Sequence, residues 1–335
     1  MTTIAIIGDG AMACLCSKLL SGKGCTLRMW SAFEENVRFM GSNGRSKFLP
    51  ELELPSELTI TTDAARAMAG CELVVSAVPS QFTRGVWERV AESWPAGVPV
   101  ASVTKGIEND TLLRPTQIIA DVLTAQRAAA VPLVALSGPC IAHEVAQELP
   151  ATVAAASSDA ALAGTVQKLF NTKYFRVYTN SDIVGVELAG ATKNVVAIAA
   201  GILDGLRAGD NAKAALLTRG LVEITRLGVA LGGRRETFSG LAGMGDLVTT
   251  CVSPFGRNRS LGEAIGRGES LQQALAATAS VVEGVATTTS VLDLAGRHGI
   301  DMPITQAVYD VLFRQQPPRQ AIEELMSRKL KGESD

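Results

Sequence analysis

Thr3-Ile-Ala-Ile-Ile7-Gly8-Asp9-Gly10-Ala11-Met12-Ala13 is the stretch that decides the fold. Thr3 to Ile7 is a short apolar, largely β-branched run, which reads as a buried strand. A glycine turn ends it, and a helix of small residues is expected from Ala11 to about Leu20. A second strand, Thr26 to Trp30, completes a βαβ opening. The turn fits Gly-x-Gly-x-x-(Gly/Ala). Gly8 permits the tight turn, Gly10 lets the backbone approach a pyrophosphate, and Ala13 is small enough for helix to pack on strand. The helix N-terminus supplies amide donors for an anion. Small-residue turns of this kind also occur by chance. Its place, directly after a first strand and opening a helix, is what gives this one weight.

Working outward, further strands are expected at Leu73–Val78, Val98–Thr104, Leu133–Ser137, Ala151–Ala156 and Phe175–Tyr178, with helical stretches between most of them. That alternation implies an α/β fold with a largely parallel, doubly wound sheet of the Rossmann type. From about residue 186 the strand pattern stops. Helices are expected at 186–203, 211–231, 260–265, 271–277, 287–298, 304–313 and 318–329. The expected organisation is a dinucleotide-binding domain over residues 1–185 and an all-helical substrate-binding and catalytic domain over 186–335.

Composition removes several function classes. A net charge of -2, with no dense basic block, weighs against nucleic acid as the main partner. No apolar run reads as a membrane span, and the first residues read as a strand and not as a signal peptide. The six cysteines are scattered and lack zinc spacing, which points to a reduced, cytoplasmic protein with no metal site. The apolar helical half is compatible with a homodimer.

Chemistry concentrates in a few places. Lys193 lies in Val186-Glu-Leu-Ala-Gly-Ala-Thr-Lys-Asn-Val-Val-Ala-Ile-Ala-Ala-Gly-Ile-Leu203, a helix with almost no polar face. Its neighbours three and four residues away, Ala189, Gly190, Val196 and Ala197, are not acidic, so no ion pair within the helix can hold its charge. A buried ammonium tends to shed its proton, which suits a general acid or base near neutral pH. A lysine snorkelling to the surface is the competing reading. Lys105, in Thr104-Lys105-Gly106, follows an apolar strand at a carboxyl edge, where ligands bind in this architecture, and is equally readable as a turn lysine. Gly138-Pro139-Cys140 follows another strand, with His143 as the only histidine near that thiol. Asp246 could orient a lysine or cap the helix after it. Arg257 and Asn258 stand just ahead of a helix expected to start at Ser260, as either a phosphate site or a solvated basic turn. The end of the second strand, with Arg28 inside it and Glu34 and Glu35 a little late, does not choose between NAD and NADP.

With these pieces assembled, the chain resembles the NAD(P)-dependent sn-glycerol-3-phosphate dehydrogenases along nearly its whole length. The matching segments occur in family order: Gly8–Ala13, Thr104–Glu108, Gly138–Glu144, Glu187–Asn194, Gly209–Lys213, Gly243–Leu247, Gly256–Asn258 and Val281–Gly284. The resemblance implies that Lys193 is the catalytic lysine and Lys105 the second active-site lysine. It implies substrate contacts from Gly138, Cys140, Asp246, Gly256, Arg257 and Asn258, with Asn194 and Thr250 at secondary positions. It implies nucleotide contacts from Ala11, Met12, Lys105, Ala142, Arg257, Val281 and Glu283, beside the Gly8, Gly10 and Ala13 turn. Where the bacterial pattern usually has an aromatic residue, glycine, Ser or Thr, Phe and Ser, this chain has Met12, Ala13, Cys140, Ile141 and Gly256. A basic residue is common where Ala32 stands.

The implied activity is reversible reduction of dihydroxyacetone phosphate to sn-glycerol 3-phosphate with NADH or NADPH, supplying glycerophospholipid synthesis. The implied partner is therefore a small phosphorylated molecule. A dehydrogenase of a 3-hydroxy or 2-keto carboxylic acid is the nearest alternative, because Arg257 could hold a carboxylate. A nucleotide-binding sensor without turnover is an alternative of another class.

Overall fold

The structure, a computed structural model, describes every residue except Met1, Ala129, Ala279, Lys331, Ser334 and Asp335. Its strands are β1 (Thr3–Ile7), β2 (Thr26–Trp30), β3 (Arg45–Ser46), β4 (Leu49–Glu53), β5 (Thr59–Thr61), β6 (Leu73–Ser76), β7 (Val100–Ser102), β8 (Leu133–Ser137), β9 (Ala151–Ala156) and β10 (Phe175–Asn180). Eight of them form one sheet in the order β10-β9-β8-β7-β6-β1-β2-β5, and β3 and β4 form a separate ribbon. From β5 to β8 all neighbours are parallel, whereas β9 runs antiparallel to β8 and carries β10 parallel to itself. The chain fills one side of β1 with β2 and β5, then crosses to β6 on the other side. That reversal opens a crevice at the carboxyl ends of β1 and β6.

Side-chain alternation explains why these runs are so apolar. Ile4 and Ile6 of β1 join the core on one face with Leu15 and Leu19 of the first helix. Ala5 and Ile7 join the core on the other face with Trp87 and Trp94. A strand covered on both faces has no polar side to show.

A helix over Ile183–Gly205 links the sheet to the rest, in which every further element among the described residues is a helix. The Asp182 carboxylate caps this junction helix. It accepts from Gly185 N at 2.8 Å through one oxygen and from Arg234 N and Thr237 Oγ1 at 2.7 Å through the other. The helix is long and apolar enough to cross a membrane, which the sequence reading did not anticipate. In the fold 83 % of its most apolar window is buried inside the protein, so the apolar surface serves a core.

Its tightest neighbour is the helix Arg257–Gly266, which runs in the same direction. A Cβ on Gly201 would lie 1.9 Å from Arg259 O, and one on Gly262 would lie 2.0 Å from Ile198 O. Gly205 and Gly266 meet one turn further along in the same way. Two Gly-x-x-x-Gly segments therefore let the backbones touch, and this contact carries the start of the second helix to the middle of the first.

Several expected boundaries move. β3, β4 and β5 were not anticipated. β4, Leu-Pro-Glu-Leu-Glu, buries only Leu49 and Leu52, and its proline and acids hide the strand signal. β7 is only three residues long, because the chain turns away before Val103 to bring Lys105 over the edge. Asp246 and Arg257 do not precede helices but begin them, over Asp246–Val252 and Arg257–Gly266. A π-helical turn, Leu241–Gly245, leads straight into the former.

Candidate active site

The turn after β1 has the shape a pyrophosphate requires. Gly8 sits at φ +115°, and a Cβ there would be 2.7 Å from Ala77 O at the end of β6. Gly10 begins the Ala11–Leu20 helix, no side chain caps that helix, and a Cβ on Gly10 would meet nothing within 4 Å. The first-turn amides therefore face open space. Ala13 is fully buried against the sheet, as helix-on-strand packing needs, while Ala11 and Met12 are partly covered. Ala142 opens a short helix at the same edge, after β8. These residues fit a bound dinucleotide.

Beside the turn, three charges from three separate elements converge. Lys105, beyond β7, places Nζ 2.6 Å from Asp246 Oδ2 and donates to Gly138 O at 2.9 Å. Lys193, in the middle of the junction helix, places Nζ 2.8 Å from Asp246 Oδ1 and donates to Thr250 Oγ1. The Lys193 and Asp246 side chains are 7 % and 2 % exposed. Lys193 therefore has a counter-charge, although its own helix offers none. The expectation of an unpaired ammonium is corrected by a carboxylate 53 positions away in sequence. Burial pulls the Lys193 pKa down to about 8, and the Lys105 charge adds to that, while Asp246 opposes it.

Gly138 is held at φ +146° against β9, where a Cβ would lie 2.8 Å from Val153 Cα, so its carbonyl is fixed toward Lys105. Cys140 lies at the same rim, and burial pushes its thiol up to about 11 despite the two lysines. His143 is no partner for that thiol. Its Nδ1 lies 2.5 Å from Glu51 Oε1 on β4, and its Nε2 contacts Gln147. A thiolate nucleophile therefore has neither a base nor a lowered pKa.

Asn194 and Asn258 tie the elements together. Asn194 Nδ2 donates to Lys105 O at 3.2 Å, and Asn258 Nδ2 donates to Asn194 Oδ1 at 3.0 Å. Asn258 Oδ1 in turn accepts from Gly284 N at 2.9 Å. Arg257, next to Asn258 and exposed, donates to Val281 O at 2.9 Å and keeps its other donors free of protein partners among the described residues. Glu283 accepts from Ser80 N at 3.1 Å and Ser80 Oγ at 2.5 Å, at the start of the helix Ser80–Val90 that follows β6. Gly256 caps the Arg257 helix and has no side chain to obstruct that end. Among the described residues no cluster of three or more His, Cys, Asp or Glu side chains could hold a metal.

Comparison with known proteins adds the last piece. A family profile described as the NAD-dependent glycerol-3-phosphate dehydrogenase N-terminus matches residues 3–163, and its C-terminal counterpart matches residues 182–323. The chain belongs to the NAD-dependent glycerol-3-phosphate dehydrogenase family. A glycerol-3-phosphate dehydrogenase (NAD(P)+) from Geobacter sp. (strain M21) is 47 % identical over 331 residues, 98 % of each chain. One from Salinibacter ruber is 46 % identical over 337 residues, covering 100 % of this chain and 98 % of the relative. The crystal structure of glycerol-3-phosphate dehydrogenase from Coxiella burnetii superposes with a TM-score of 0.93 at 38 % identity, covering 98 % of this chain and 99 % of that one.

In this glycerol-3-phosphate dehydrogenase family member, the geometry gathers the expected residues into two linked groups. Lys105, Gly138, Lys193, Asn194, Asp246, Thr250 and Asn258 form one bonded network. Arg257, Val281 and Glu283 form a second group, joined to the first through Gly284. The Gly8–Ala13 turn, Cys140 and Ala142 share the sheet edge without a hydrogen bond to the lysines. Lys213, from a segment that carries the resemblance, instead pairs with Asp204 at 2.5 Å, as does Arg259 at 2.6 Å. Sequence reading missed Ser80 and also Arg114 with Thr116, which bind the buried Glu187 carboxylate. None of these stands in a pattern that announces its partner.

Proposed function

We infer that this chain interconverts dihydroxyacetone phosphate and sn-glycerol 3-phosphate with NAD(P)H. The observation that carries the reading is the single Asp246 carboxylate holding two lysines beside the start of the Arg257 helix. Two ammoniums against one carboxylate leave the pocket positive, which suits an anionic substrate and a developing oxyanion.

The bound dinucleotide supplies the hydride. Its place is the Gly8–Ala13 turn, with Ala142, Val281 and Glu283 lining the crevice and Arg257 and Lys105 within reach. In the reducing direction Lys193 Nζ donates a proton to the ketone oxygen as charge builds there, and its pKa near 8 suits that exchange. Lys105 adds positive potential. Asp246 keeps both lysines aimed and opposes the loss of the Lys193 proton, and Thr250 and Asn194 fix the Lys193 and Lys105 sides of the pocket. Arg257, Asn258 and the Gly256 amide anchor the phosphate, with Gly138 and Cys140 closing the opposite wall. Anchoring the phosphate sets the distance between carbonyl and nicotinamide, which is where much of the rate comes from.

Residues 1–185 form the dinucleotide-binding domain and 186–335 the helical substrate-binding and catalytic domain, with Lys105, Gly138 and Cys140 reaching the substrate from the first and Arg257, Val281 and Glu283 reaching the nucleotide from the second. A cytoplasmic enzyme, active as a homodimer and feeding glycerophospholipid synthesis, completes the proposal. The test is absorbance at the reduced-nicotinamide band with dihydroxyacetone phosphate, ketopantoate and other 2-keto acids, each with NADH and NADPH. Turnover of dihydroxyacetone phosphate at least a hundredfold above the carboxylates is expected. The reverse order would replace phosphate by carboxylate recognition, and binding without any turnover would leave a sensor.

A further inference from the structure

Asp9 occupies the first variable position of the glycine turn, and the structure gives it an unusual task. The last residue of β1 is paired with the last of β2, and Gly8 N donates to Trp30 O at 3.0 Å. Asp9 is thus carried to the end of β2. There Ser31 Oγ donates to Asp9 Oδ2 at 2.5 Å and Asn36 Nδ2 donates to the same oxygen at 2.7 Å. Ser31 and Asn36 are both buried, so the carboxylate is buttressed from behind. Asp9 itself is partly exposed, and no donor among the described residues reaches Oδ1.

The end of β2 is where doubly wound folds read the 2′ position of the adenosine ribose. The strand's own residues do not supply that reading. Arg28 donates to Arg66 O and Ala69 O at 3.2 and 2.6 Å, away from the crevice. Glu34 and Glu35 are exposed on the next helix, paired with Arg38 at 3.8 Å and Lys47 at 3.5 Å. Those pairs also engage Arg38 and Lys47. Asn36 Oδ1 is buried without a donor, so the neighbourhood is rich in acceptors. A ribose hydroxyl, which donates, suits such a place. A 2′-phosphate, with its near-double negative charge and no donor of its own, does not.

We propose that Asp9, fixed by Ser31 and Asn36, sets this chain's preference for NAD(H) over NADP(H). The acidic group that usually closes β2 is supplied here from the glycine turn of β1. The inference rests on the reading that a dinucleotide lies across the Gly8–Ala13 turn.

The test is direct binding, by nicotinamide fluorescence titration, of NADH and NADPH to the full chain and to its Asp9→Asn and Asp9→Ala variants. Asparagine keeps an acceptor for Ser31 and Asn36 while removing the charge, so it separates charge from scaffolding. The parent should bind NADH at least tenfold more tightly than NADPH, and Asp9→Asn should narrow that ratio at least fivefold, mainly by tightening NADPH. Raising salt from about 0.02 to 0.5 M should narrow the parent's ratio but not the variant's, because repulsion of an exposed phosphate is screened. Equal affinities in the parent, or a ratio that neither variant moves while circular dichroism shows both folded, would overturn the assignment to Asp9. Binding of neither nucleotide would overturn the dinucleotide reading, and this inference with it.

Discussion

Lys193 Nζ and Asp246 Oδ1 stand 2.8 Å apart, both almost sealed from solvent, and this pair joins the junction helix to the start of the Asp246–Val252 helix facing it. It keeps a cation where an apolar helix would otherwise expel one. Because burial outweighs the pairing, the ammonium still loses its proton near pH 8. Reduction needs the protonated form, which is present below that value and lost above it. Apparent kcat/KM for dihydroxyacetone phosphate should therefore stay level from pH 6 to about 7.5 and fall above 8. Oxidation of glycerol 3-phosphate needs the neutral amine and should rise through the same range. Lys193→Ala should lose roughly two to four orders of magnitude in turnover and keep NADH binding. A variant within threefold of the parent would remove Lys193 from the chemistry.

Asp246→Asn tests the counter-charge. Without the carboxylate, desolvation and Lys105 act unopposed on Lys193, so its pKa falls further. The alkaline limb of the reduction profile should move down by about one pH unit or more, together with a loss in kcat. A merely structural Asp246 would lower kcat without moving the limb, so the full pH profile is the deciding measurement.

The two halves of this site were not equally legible in the sequence. β1 and its glycine turn could be read because a short, continuous apolar β-branched run and turn chemistry are local signals, and the same holds for the burial of Lys193 in a helix without a polar face. The partner of Lys193 was legible only as one of two roles for Asp246, orienting a lysine or capping a helix, because Asp246 lies in another element behind a run of glycines and nothing local ties it to Lys193. Arg257 and Asn258 were legible as a donor pair but were placed a turn too early, since Gly256 starts a helix that no side chain caps. Gly201, Gly205, Gly262 and Gly266 stand in plain Gly-x-x-x-Gly spacing, yet only the fold shows that the two segments face each other. Asp9 was passed over because its motif treats that position as variable.

That helix contact is open to test by overfilling it. A Cβ at Gly262 would lie 2.0 Å from Ile198 O and 3.0 Å from Ile202 N, both backbone atoms that cannot swing aside. Gly262→Ala should cost about 1–3 kcal/mol of stability or more, seen as a clear drop in melting temperature. It should also raise KM for dihydroxyacetone phosphate more than for NADH, because Asn258 rides on the displaced helix. Gly296→Ala, on an exposed helical position where a Cβ meets nothing within 4 Å, is the control. There alanine should be neutral or stabilising by up to about 1 kcal/mol.

Arg257 separates phosphate from carboxylate recognition. One of its nitrogens is spent on Val281 O, which orients the guanidinium and leaves the remaining donors for an anion. Arg257→Ala should weaken apparent affinity for dihydroxyacetone phosphate by roughly tenfold to a hundredfold, the loss expected for a charge-assisted contact. A loss in kcat should accompany it, because the anchor also positions the ketone. Unphosphorylated dihydroxyacetone, a poor substrate from the start, should suffer little further. Arg257 also lies beside Glu283 and Val281 on the nucleotide side, so NADH affinity has to be measured in parallel and both substrates compared at saturating cofactor. Equal losses for the two substrates under that condition would show that Arg257 does not hold the phosphate. The anchoring role would then pass to Asn258 and the amides at the start of its helix.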